Sequence, residues 1–204
     1  MPSRNINKTD LPETYYHAYS RGSGKKAIFL EPSDFTYFEK LLARYLSNEP
    51  AEGKLGYIYP NYTGQVDLIA YCLMGNHFHL LIYQSEAGAM TRFMKSLMSS
   101  YSRYFNLKYK SSGPLFESRY KASQINKSAY LEHISRYIHL NPRYWKRYPY
   151  SSLQYYLSDK SVEWIQTGKI RSLFNGPKDY MRFMEDYEEH KQMLYELKHE
   201  LANN

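Results

Sequence analysis

Val66-Asp67-Leu68-Ile69-Ala70-Tyr71-Cys72-Leu73-Met74-Gly75-Asn76-His77-Phe78-His79-Leu80-Leu81-Ile82-Tyr83 reads as two strands joined by a tight reversal at Gly75-Asn76. In the second arm, Phe78, Leu80 and Ile82 fall on one face, and His77, His79 and Leu81 on the other. One face of this hairpin therefore belongs to a hydrophobic core, while the other carries two imidazoles.

The flanking sequence alternates in kind. Tyr15-Tyr16-His17-Ala18-Tyr19-Ser20-Arg21-Gly22 is rich in strand formers and predicts a first strand. The following Gly22-Ser23-Gly24-Lys25 lacks the second half of a phosphate-binding loop and predicts a turn. Pro32-Ser33-Asp34 is a helix-start signal, followed by Phe35, Phe38, Leu41, Leu42 and Tyr45 at helical spacing. Residues 48–64 predict a loop, with a short extension of the sheet around Tyr57 to Tyr59. After the hairpin, residues 90–109 predict an amphipathic helix with Phe93, Leu97, Tyr101, Tyr104 and Phe105 as its buried stripe, ended by Gly113-Pro114. Residues 115–125 predict another strand, and residues 128–140 a third helix stopped by Asn141-Pro142.

The order strand, helix, strand, strand, helix, strand, helix predicts an α+β fold, a ferredoxin-like antiparallel sheet with packed helices. This organisation gives one domain over residues 1–150. A C-terminal helical extension over 151–204 has helix candidates at 151–157, 162–174 and 178–201.

With 43% hydrophobic and 23% charged residues, the composition excludes disorder and fibrous repeats. No apolar run reaches the length of a bilayer span, and the opening Met1-Pro2-Ser3-Arg4-Asn5 lacks the apolar stretch of a secretory signal, so a cytoplasmic protein is expected. The single cysteine, Cys72, excludes an intramolecular disulfide. The net charge of +7 is unevenly placed: residues 85–150 hold twelve Lys or Arg against three acids, whereas residues 175–204 hold four against seven. A basic centre interleaved with aromatics, as in Arg119-Tyr120-Lys121 and Arg143-Tyr144-Trp145-Lys146-Arg147, suits unpaired nucleic acid, whose bases stack while its phosphates bind cations. Solvated helix faces would account for the charge alone.

Two constellations carry chemistry. His77 and His79, two apart on a strand, point to one side and can address one metal ion, although a pair of histidines that hydrogen-bond their neighbours has the same spacing. Tyr137 and Asn141, four apart on a helix, share a face, so a hydroxyl and an amide oxygen can address one site. Among 24 tyrosines, however, packing is the common role, and Asn141 before Pro142 is also a helix terminator.

Together these motifs resemble the single-tyrosine transposases of the histidine-hydrophobic-histidine nuclease superfamily, the insertion-sequence enzymes and their REP-associated relatives. The resemblance is carried by Tyr16-His17-Ala18-Tyr19-Ser20-Arg21-Gly22, Met74-Gly75-Asn76-His77-Phe78-His79-Leu80-Leu81, Arg92-Phe93-Met94, residues 115–122 and Arg136-Tyr137-Ile138-His139-Leu140-Asn141-Pro142. It implies that His77 and His79 bind Mg²⁺ or Mn²⁺, that Asn141 is a third ligand where insertion-sequence members carry glutamine, and that Tyr137 is the nucleophile. It further implies cleavage and rejoining of single-stranded or hairpin DNA through a 5′-phosphotyrosine, by a monomer or a homodimer. Arg119, Lys121, Arg136 and Arg143 are the candidates for DNA phosphates, with surface charge as the alternative for each; His133 and His139 read as structural. The competing functional reading is a domesticated protein that binds hairpins without cutting them.

Overall fold

The computed structural model describes residues 10–125 and 130–186. The hairpin stands at one side of a four-stranded antiparallel sheet built from β1 (Thr14–Arg21), β2 (Val66–Met74), β3 (His77–Gln84) and β4 (Lys121–Ile125), in the order β2-β3-β1-β4. This is the ferredoxin-like arrangement expected from the element order. α1 (Pro32–Leu46) runs between β1 and β2, α2 (Ala89–Tyr109) between β3 and β4, and α3 (Leu131–His139) follows β4.

Strand alternation divides the core into two layers. Tyr16, Ala18, Leu73, Phe78, Leu80 and Ile82 meet α1 and α2 on one face. Leu81, Cys72, Ala70 and Ile125 meet Ile134 and Ile138 of α3 on the other. A bulge between Leu68 and Ala70 turns both Ile69 and Ala70 to the α3 side before alternation resumes. Asp34 helps start α1 as its motif predicts, accepting from the backbone N–H groups of Leu30 at 2.8 Å and Glu31 at 3.2 Å.

The expected strand at 115–125 is shorter than its residues suggested. Phe116 makes only an isolated bridge to Gly22, and pairing resumes at Lys121. The exposed run Glu117-Ser118-Arg119 between them has no apolar side chain to bury, and Ser118 hydrogen-bonds the carbonyl of Arg119 instead. Around Tyr57–Tyr59 the chain forms a bridge of its own, Glu52 with Ile58, outside the sheet. The expected start of the third helix at Ser128 lies outside the described residues.

After Tyr150 the chain follows the outer edge of β2. The N–H of Leu73 donates to the carbonyl of Tyr150, that of Ser152 to the carbonyl of Tyr71, and that of Tyr71 to the Ser152 hydroxyl, at 2.8–3.0 Å. An exposed strand edge is a template for aggregation, and this contact covers it. Three short helices follow: α4 (Leu153–Leu157), α5 (Gly168–Arg171) and α6 (Pro177–Glu185). The helix expected over 162–174 is reduced to α5, because the N–H of Gln166 is spent on the carbonyl of Leu68 at the sheet edge. The helix expected over 178–201 is seen as α6, and its continuation beyond 186 lies outside the described residues. Leu153, Tyr156, Ile170, Tyr180 and Met184 pack with α3 on the second sheet face.

Candidate active site

Strand register assembles the polar part of the second face. Arg21 lies opposite His77 and Tyr19 opposite His79, while His17 pairs with Leu81 and Ser123, so His17, Tyr19 and Arg21 of β1 share the face of the two β3 histidines. α3 lies over this face, anchored by buried Ile134 and Ile138. That anchoring brings the half-buried Tyr137 ring edge-on to His17 and His79, 5.7 Å between centroids in each case. Asn141, just past the end of α3, donates its amide N–H to the backbone carbonyl of Tyr137 at 3.1 Å and interacts with both His77 and the Tyr137 phenol. The His77/His79 pair and the Tyr137/Asn141 pair, each expected from its own spacing, thus converge within one chain.

The histidines are held as neutral rings. Burial pushes His79 well below the usual imidazole range and His17 down to about 4. His77 is lowered by burial and then by the charge of Arg21, with the Asn141 contact opposing. The Tyr137 phenol is raised by burial; the hydrogen bond to Asn141 and the charge of Arg21 pull the other way.

Two of these rings have a hydrogen-bonding neighbour at Nδ1. His77 Nδ1 lies 2.6 Å from Asn76 Oδ1, and the Asn76 amide N–H donates to the carbonyl of Lys25 at 3.2 Å. That second bond orients the amide with its oxygen toward the imidazole, so His77 Nδ1 must be the donor and Nε2 is bare. His79 Nδ1 lies 2.8 Å from His17 Nε2, with the rings 11° from parallel.

Among the described residues no three His, Cys, Asp or Glu side chains form a metal-binding group. The donors that fit a divalent cation here are two neutral imidazoles, His77 and His79, with the Asn141 amide oxygen.

The candidate DNA contacts separate. Lys121 lies opposite Tyr19 on the site face, its ammonium 6.0 Å from that ring and 3.8 Å from Glu117. Arg119 and Arg143 are exposed in loops on either side of α3 in sequence. Arg136 requires a correction. It is fully buried, with its guanidinium on the carbonyl of Phe183 and His133 Nδ1, both at 3.0 Å, and 4.1 Å from the Phe183 ring. Its neighbours leave no face for a phosphate, so Arg136 belongs to the packing of α6 on α3. His139 is likewise buried, between Tyr180 and the Ser152 hydroxyl.

The sequence alone gives His17 and Arg21 no role. Their i, i+4 spacing on a strand shows that they share a face, but only the pairing of β1 with β3 shows that it is the face of His77 and His79.

Residues 54–141 match the family model of the IS200-like transposases. The IS200-like segment includes His77, His79, Tyr137 and Asn141, whereas His17 and Arg21 lie before it. Among solved structures, that of a REP-associated tyrosine transposase bound to a REP hairpin aligns with a TM-score of 0.54 at 11% identity, covering 79% of this chain and 90% of the other. At that identity the likeness shows the fold alone. No curated protein matches the sequence. No helix among the described residues is long and apolar enough to cross a membrane.

Proposed function

We propose that this chain is a metal-dependent single-tyrosine transposase that cleaves and rejoins single-stranded DNA next to a hairpin, with Tyr137 as nucleophile. The observation that supports this most is the half-buried Tyr137 phenol beside Asn141 and edge-on to the buried His79 ring of the same chain.

His77 and His79, with the Asn141 amide oxygen, would hold Mg²⁺ or Mn²⁺. When bound, the cation supplies charge stabilisation at the scissile phosphate. Both β3 imidazoles are favoured as neutral rings, the form that binds metals. Arg21 adds a fixed positive charge on the same face, which favours a phosphodiester there and draws the phenol toward ionisation against the effect of its burial. Attack by the Tyr137 oxygen forms an O–P bond and breaks the bond to the leaving 3′ oxygen. The products are a 5′-phosphotyrosine and, once that oxygen takes a proton, a free 3′-hydroxyl. The phosphotyrosine is itself a phosphodiester, so a second 3′-hydroxyl can reverse the step and be joined. Lys121, Arg119 and Arg143 would hold the flanking phosphates. The hairpin assignment draws on the DNA in the structural neighbour and on the basic, aromatic-rich centre of this sequence.

The test is covalent capture. With Mn²⁺ and a labelled single-stranded hairpin set, the wild-type chain forms an adduct that survives a denaturing gel. Tyr137→Phe lowers its yield by at least about 10³-fold while hairpin affinity is kept. An adduct that survives in Tyr137→Phe excludes Tyr137 as nucleophile. A wild-type chain that binds hairpins but forms no adduct acts by binding alone.

A further inference from the structure

An imidazole binds a cation only through a bare ring nitrogen, so a ligand histidine needs its proton held on the other one. For His77 this is done by Asn76, whose oxygen accepts from Nδ1 at 2.6 Å. Among the described residues, the Nδ1 of His79 meets another imidazole rather than an amide or carboxylate. Its partner is the Nε2 of His17, at 2.8 Å on the neighbouring strand.

A single proton lies between those two nitrogens, and it belongs to one ring or the other. If His17 donates, the proton of neutral His79 sits on Nε2, and both nitrogens of His79 are engaged. If His79 donates, its Nε2 is bare, and the proton of His17 moves to His17 Nδ1. That atom is buried and has no hydrogen-bond partner among the described residues. Filling this position on the sheet needs no such group, since an apolar ring of similar size brings no orphan nitrogen into the interior. A buried histidine with one nitrogen committed to a neighbour and the other unpartnered fits a residue retained for the first contact.

We propose that His17 is a positioning residue of the site, accepting the Nδ1 proton of His79 and so presenting His79 Nε2 as a bare nitrogen, as Asn76 does for His77. The inference rests on the reading of His77 and His79 as cation ligands. It places part of the site in β1, before the segment that matches the transposase family. It also accounts for a third histidine, His17, on the sheet face that carries His77 and His79.

Long-range ¹H–¹⁵N correlation spectra of the full chain in chelator distinguish the two neutral tautomers, with the His79 signals assigned by their loss in His79→Gln. The expected wild-type spectrum shows His79 protonated on Nδ1. In His17→Phe, His79 shifts toward the Nε2-protonated form, and calorimetric Mn²⁺ affinity falls by roughly 10- to 100-fold. His17→Gln, whose carbonyl oxygen can accept the same proton, restores the tautomer and most of the affinity. A wild-type His79 protonated on Nε2, or an unchanged His79 tautomer in folded His17→Phe, overturns the proposal. If His17→Phe does not fold, the wild-type tautomer decides alone. A wild-type chain with His79 protonated on Nδ1 but no Mn²⁺ binding upholds the role of His17 and defeats the cation reading instead.

Discussion

At the scale of single residues, burial separates side chains that look alike in the sequence. Arg136 and Tyr137 are neighbours on α3, one turned into the packing with α6 and the other onto the histidine face. A buried guanidinium is tolerated where its N–H groups find acceptors and its planar face a ring; here Phe183 and His133 accept from the two terminal nitrogens, and the Phe183 ring covers the face. Arg136→Ala is therefore expected to lose about 2–3 kcal/mol of stability by urea unfolding. Hairpin affinity of the folded fraction should stay at the wild-type level. A variant of normal stability with weakened DNA binding would return Arg136 to the DNA surface.

At the scale of elements, the site depends on where β1 ends. Gly22 donates its N–H to the carbonyl of Asn76 in the hairpin turn, at 2.9 Å, one residue after the Arg21–His77 pair. A Cβ at this position would stand 2.1 Å from the backbone oxygen of Lys26 and 2.8 Å from Ile28 Cγ2, closer than atoms approach. The backbone oxygen cannot swing aside as a flexible side chain would, so the turn itself must move. Gly22→Ala is expected to destabilise the fold by about 3 kcal/mol, read as a lower denaturant midpoint. Unchanged stability would show that this turn shifts freely. The glycine is visible in the sequence as the end of a strand, but its close approach to Lys26 is a property of the folded turn.

For the molecule as a whole, three buried imidazoles set the response to acid. His17 is held at about 4, His139 at about 3 and His79 well below its usual range, in each case chiefly by burial. In the unfolded chain these rings protonate near pH 6.5, so below that value the unfolded state binds more protons than the folded one. Their contribution to stability is complete above about pH 6.5 and is lost as pH falls toward 3–4, by up to about 1.4 kcal/mol per pH unit for each ring. Urea midpoints measured from pH 7.5 down to 5 should fall accordingly. A flat profile would mean that the rings are solvated. His139 matters here as an anchor too, since it joins α3 to Tyr180 of α6 and to Ser152 at the edge of β2.

Local periodicity by itself determined most of the elements, the apolar face of β3, and the two spacings that put His77 beside His79 and Tyr137 beside Asn141. These are neighbour relations within one strand or one helix, set by backbone geometry whatever surrounds them. Tertiary structure alone decided that α3 lies over the histidine face of β3, that β1 brings His17 and Arg21 to the same place, and that α6 buries Arg136. Those contacts join segments tens of residues apart. The free energy that selects them comes from burying both faces of the sheet at once, and no window of sequence contains it.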